Sequence, residues 1–160
     1  ANYGFFKPTE EVLRGWQKTQ DFAADLKCDK ILFQCPASFK PTAENLANRE
    51  LFFKKARAGK KKFNFIWEPR GNWPREIILS TCRKLNLIHS TDPVTSRAIA
   101  GRFNYYRLHG KYKNGVINYA HKYTKKELEI IKTKLDRPLN YVMFNNINMG
   151  RDAIRFKAML

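Results

Sequence analysis

The fold is decided by Lys62-Phe63-Asn64-Phe65-Ile66-Trp67-Glu68-Pro69-Arg70-Gly71-Asn72-Trp73-Pro74. The run from Lys62 to Trp67 reads as a buried strand. Glu68 and Arg70 stand where that strand would end. Asn72 then offers an N-cap and Pro74 a first helical turn. Two charged residues at the C-terminal end of a buried strand, just ahead of a helix, match the rim of an α/β active site. The plainer reading is an ion pair that holds the strand-to-helix turn.

The same pattern repeats outward in both directions. Upstream, Pro8-Thr9 opens a helix with Val12, Leu13, Trp16, Phe22, Ala23 and Leu26 at helical spacing. Ile31-Leu32-Phe33-Gln34-Cys35 is a short apolar run, and Pro41-Thr42 starts a second helix carrying Leu46, Leu51, Phe52 and Phe53, with Gly59 as its C-cap. Downstream, a helix runs from Pro74 to about Lys84, with Ile77, Ile78, Leu79 and Cys82 toward its core. Strands follow at Leu85 to Ser90 and Phe103 to His109, joined by a longer loop. A tyrosine-rich segment from Lys111 to Lys122 carries the hairpin signal Asn114-Gly115. Thr124 and Glu127 form a capping box before a helix to about Leu135. Leu139 to Phe144 is the last strand, and a terminal helix spans roughly Gly150 to Ala158. Apolar strands alternating with helices predict an α/β fold of parallel (β/α) repeats with right-handed crossovers, in a single domain over residues 1–160.

Each predicted strand ends in polar residues: Gln34, then Glu68 and Arg70, then His89 and Asp92, then Arg107 and His109, then Asn145 and Asn146. In a parallel sheet these ends lie on one side, so they are expected to gather into a pocket. Glu68 and His109 are the candidate acid–base groups. Arg70 and Arg107 suit a phosphate or carboxylate. Gln34, Asp92, Asn145 and Asn146 complete the substrate-binding set. Taken singly, His109 also reads as a core histidine and Asn146 as a helix cap. Glu68, Asp92 and His109 would admit a divalent metal, although no HExxH or Cys/His ligand spacing is present. The absence of a P-loop, GxGxxG or GxSxG motif argues against the usual triphosphate, dinucleotide and serine-hydrolase chemistries.

The 160-residue chain holds 31 Lys and Arg against 14 Asp and Glu, a net charge of +17. That balance attracts polyanions, nucleic acid first among them; a general lysine bias of the source is the bland alternative. Lys111, Lys113, Lys122, Lys125 and Lys126 flank the tyrosine-rich segment, with Tyr112, Tyr119 and Tyr123 between them. Charge interleaved with stacking rings suits single-stranded nucleic acid. A second basic run, Lys54 to Lys62, falls at the opposite end of the strands. No apolar run is long enough for a membrane span, and the first residues carry no secretory signal. Three scattered cysteines suit reduced thiols in a cytoplasmic protein.

Gln34-Cys35-Pro36-Ala37-Ser38-Phe39, Trp67-Glu68-Pro69-Arg70-Gly71, Asp92-Pro93, Arg107-Leu108-His109-Gly110 and Phe144-Asn145-Asn146 come in an order that resembles the YecE-like family of unknown function, in its archaeal branch. The resemblance covers nearly all of the chain and implies a TIM-like (β/α) barrel with one pocket at its polar strand ends. It supplies no reaction. It also implies that this chain matches only the C-terminal part of longer proteins, with about five strands where a closed barrel has eight. An open sheet edge would then be covered by self-association or by a partner. Three functions follow as expectations: a hydrolase or nuclease acting on a phosphate-bearing or nucleic-acid substrate, a non-catalytic nucleic-acid-binding protein, or a sugar or sugar-phosphate enzyme.

Overall fold

Residues 3–59, 62–113 and 116–160 are described by a computed structural model, with the side chain of Lys113 excepted. Thr9 caps α1 (Glu10–Asp25) through its side chain, and Thr42 caps α2 (Ala43–Arg57) in the same way. Between them lies β1 (Lys30–Gln34). Then come β2 (Asn64–Glu68), α3 (Arg75–Lys84), β3 (Ile88–Thr91) and β4 (Asn104–Leu108). A ribbon of β5 (Lys111–Lys113) and β6 (Val116–Asn118) precedes α4 (Lys125–Lys132), β7 (Asn140–Phe144) and α5 (Met149–Lys157). Among the described residues the main sheet is parallel, in the order β1-β2-β3-β4-β7, and the ribbon is antiparallel. These are the parallel (β/α) repeats of a TIM-like barrel, incomplete in this chain.

The chain divides into two compact units, Ala1–His89 and Ser90–Leu160. The first is built on aromatic rings. Phe33 of β1 and Phe65 of β2 meet at 5.3 Å, and Trp16, Phe52 and Phe53 from the helices pack on them. Burying each such ring stabilises the fold by about 2–3 kcal/mol before entropy. Phe33 is in register with Trp67, so these residues share the helix-covered face. Leu32, Gln34, Ile66 and Glu68 therefore share the other face.

The second unit places Leu108, Tyr123, Leu128, Ile131, Phe144 and Phe156 in one apolar cluster. Tyr105 and Tyr141 are in register and their rings lie 6.0 Å apart on the other face. Arg107 and its register partner Met143 continue that face, and His109 and Asn145 come next beyond the strand ends.

Several local expectations are corrected. Phe22 and Leu26 are 69% and 76% exposed, because the buried stripe of α1 is Val12, Trp16 and Ala23. On α2 the buried stripe is Arg49, Phe52, Phe53 and Ala56, spaced i, i+3, i+4 and i+7, so Leu51 turns outward. Ala58, not Gly59, is the C-cap of that helix. Asn72 caps nothing: α3 starts behind Pro74 with no side-chain cap bond. The third strand is Ile88–Thr91, since Leu85 ends α3 and Asn86 takes a positive φ of 48°. The Asn114-Gly115 turn and Lys60-Lys61 of the second basic run lie outside the described residues.

Candidate functional site

In the first unit, β1 and β2 run in register to Gln34 and Glu68, which are neighbours at the C-terminal end. Glu68 is 5% exposed. Arg70 Nε donates to Glu68 Oε1 at 2.9 Å, and Arg70 Nη2 donates to Gln34 Oε1 at 3.3 Å. The chain reverses after Arg70 at Gly71, whose φ is +83° and whose missing Cβ would meet Ala37 O at 2.9 Å. One guanidinium thus ties the two strand ends together. Directly behind, Trp67 Nε1 donates to Cys35 Sγ at 3.2 Å. Burial pushes the Cys35 thiol up to about 12, so it stays neutral.

In the second unit, Asp92 follows β3 and His109 follows β4. The Asp92 carboxylate accepts the Val94 amide at 2.8 Å and also the His109 amide. Burial raises its pKa above the ordinary 3.8, against the pull of these bonds and of the charges on His109 and Lys134. Tyr119 meets the His109 ring edge-on, with centroids 6.4 Å apart. Gly110 closes the base of the ribbon. Its φ is +108°, a Cβ there would meet Asn118 O at 2.2 Å, and its amide donates to the Tyr123 hydroxyl at 2.9 Å. Arg107 is half-buried on the face that His109 continues. Asn145 is exposed, and its amide donates to Leu108 O at 2.7 Å. Asn146 is buried and its Nδ2 donates to His121 O and Asp152 Oδ2, both at 2.8 Å, which makes it a tie between the ribbon's exit and α5.

Among the basic residues, Lys111, Lys122, Lys125 and Lys126 are exposed, as are Tyr112 and Tyr119 at 53% and 44%. Lys111 Nζ lies 3.9 Å from Glu127. The side chain of Lys113 lies outside the described residues. Tyr123 is no stacking platform: it is 1% exposed, at the heart of the apolar cluster. Its burial had a sequence signal. Tyr123 and Leu128 stand at the N′ and N4 positions around the Thr124 capping box, the pattern of a hydrophobic staple. His121 was also missed; it pairs with Glu127 at 3.1 Å. Arg57, in the other basic run, is a structural group: Nη2 donates to Leu85 O and Asn86 O, and the guanidinium covers Phe65 at 4.5 Å.

Among the described residues, no group of three or more His, Cys, Asp and Glu is placed to hold a metal ion. All three cysteines are free thiols, and among the described residues no helix is long and apolar enough to cross a membrane.

A sheet of parallel strands with polar groups at its C-terminal ends defines an α/β protein of the TIM-like class. No family model and no curated protein matches the chain. Solved structures do. A DUF72 family protein from Thermotoga maritima superposes with a TM-score of 0.70 at 19% identity, over 96% of this chain and 65% of that one. Two structures of a DUF72 family protein from Enterococcus faecalis give TM-scores of 0.67 and 0.64 at 17% and 19% identity. They are covered over 72% and 64% of their length by 99% and 94% of this chain. The chain is thus similar in fold to DUF72, or YecE-like, proteins and spans about two thirds of their length.

Proposed function

We propose that this chain is a phosphodiester hydrolase whose substrate is single-stranded nucleic acid, with His109 as general base. The observation that carries the reading is the contact between Tyr119 and His109. It joins an exposed ring on the lysine-flanked ribbon to a titratable side chain at a strand end. A base stacked on Tyr119 would bring its phosphate next to His109, and stacking on one aromatic ring contributes about 1–3 kcal/mol per base. In the reaction His109 takes a proton from the attacking water. The water oxygen bonds to phosphorus, the bond to the leaving oxygen breaks, and that oxygen is protonated from solvent. Arg107 carries the charge complementary to the phosphate. Asp92, bonded to the His109 amide, positions the histidine. Glu68, oriented by Arg70 and Gln34, is a second acid–base candidate on a phosphate-bearing substrate.

A second reading, a non-catalytic nucleic-acid-binding protein, is favoured by the exposure of Lys122, Lys125 and Lys126 around the start of α4. Binding and cleavage of a single-stranded oligonucleotide, followed side by side, separate the two. The hydrolase reading expects Tyr119→Ala to weaken binding about tenfold. It expects His109→Asn to slow cleavage with binding kept. Binding without cleavage by the unaltered protein would favour the second reading and overturn the first.

A further inference from the structure

Arg49 lies on the buried stripe of α2 and is 4% exposed. Its guanidinium covers the rings of Trp67 at 4.7 Å and Trp73 at 5.5 Å. Nη2 donates to Thr81 Oγ1 at 2.7 Å. No protein group among the described residues accepts from Nε or Nη1. Burial lowers its pKa to about 10, which still leaves it charged at neutral pH.

Among the described residues, no acidic side chain forms an ion pair with that guanidinium. Cys35 and Cys82 are the closest acids in electrostatic terms, but burial pushes both thiols up to about 12. Glu50, the next residue, pairs instead with Lys84 at 2.7 Å. A buried cation without a counter-charge is unfavourable, and two unbonded N–H groups add to the cost. Stacking on two indoles offsets only part of it. A methionine or leucine would fill this position on the helix stripe without that penalty, so the arginine calls for a further role.

Arg49 also lines a groove of about 230 Å3 between α2 and α3. Leu46, Ile77 and Leu85 form its apolar walls, and Ser80 and Lys84 add polar groups. We propose that this groove binds a small organic anion, a carboxylate or phosphate head on a short apolar body, with Arg49 as the anchor and Lys84 at the rim. The volume falls below the roughly 300–1,000 Å3 of drug-sized pockets, which limits the ligand to a few heavy atoms beyond its head. The planar fork of Arg49 matches either head group. The Lys84 ammonium, held by an exposed Glu50, can exchange that partner for the ligand.

The test uses the unaltered chain, titrated with inorganic phosphate and, separately, with butyrate at constant ionic strength. Tryptophan emission is the readout, since Trp67 and Trp73 both stack on Arg49. A saturable change is expected for at least one probe, with a midpoint at about 1 mM or below. Arg49→Lys should raise the midpoint about tenfold, because a point charge cannot reproduce the fork. Lys84→Glu, an exposed rim change that leaves the core alone, should raise it about fivefold. His109→Asn should leave it unchanged, so this proposal and the hydrolase reading fail independently. The proposal is overturned if neither probe gives saturable emission by about 20 mM. It is equally overturned if Lys84→Glu, or a folded Arg49→Lys, titrates like the unaltered protein.

Discussion

Arg70 holds Glu68 through a 2.9 Å bond from Nε to Oε1, and the carboxylate it holds is almost wholly buried. Removing one partner of such a pair leaves a charge in a place that water does not reach. Arg70→Met should therefore destabilise the chain by about 2–3 kcal/mol, below the range for a fully buried pair because Arg70 is itself partly exposed. Arg70→Lys should recover only part of this, since an ammonium cannot span Glu68 and Gln34 with the geometry of a guanidinium. Urea unfolding midpoints of the two variants measure both effects.

Gly110 is the second position where one atom decides the outcome. A Cβ there would collide with Asn118 O and force a side chain into φ +108°. Gly110→Ala should cost at least about 3 kcal/mol and detach the base of the ribbon from β4. Tyr123→Phe removes only the hydroxyl that bonds the Gly110 amide, and should cost about 1–2 kcal/mol. Thermal unfolding of the two variants should place them in that order.

Asp92 gives a pH dependence with a definite sign. Its folded-state pKa lies above the ordinary 3.8 because burial dominates. The folded chain therefore binds this proton more tightly than the unfolded chain does. Ionising Asp92 costs stability: the cost is absent below the unfolded value, grows as pH rises through the interval up to the folded value, and is constant above it. Asp92→Asn should accordingly raise the melting temperature at pH 7 relative to the parent, and the gain should vanish below about pH 3. A gain of equal size at both pH values would show that charge is not its cause.

The lysines around α4 give a salt dependence. Each phosphate contact to a single strand steepens the fall of log K with log salt by about 0.7. Replacing Lys122, Lys125 and Lys126 together by Ala should therefore flatten the slope by about 2, with little change in the melting temperature. Fluorescence anisotropy of a labelled oligonucleotide between low and moderate salt measures it.

Much of this was legible in the sequence where local rules and tertiary context agree. The helix starts, the apolar strands and the polar strand ends carry their own signals, so Thr9, Thr124, Glu68, Asp92 and His109 were placed from residue type and spacing. That Gln34 and Glu68 lie at the same end of the sheet followed too, because the strands are parallel. What failed depends on which stripe of a helix is turned inward. Leu51 looked like core, yet the stripe of α2 that turns inward carries Phe52 and Phe53 together with Arg49. Tyr123 looked like a stacking ring among lysines, but its place before the capping box turns it into the apolar cluster. Side-chain chemistry alone does not reveal facing, and facing is set by long-range packing.

The most direct test of the central claim is the single-turnover cleavage rate of a single-stranded oligonucleotide, compared between the parent chain and His109→Asn at saturating protein. If His109 is the base, the substitution should lower the rate about 100-fold or more while the dissociation constant stays within about twofold. Equal rates in the two proteins, or a loss of rate fully accounted for by weaker binding, would contradict it.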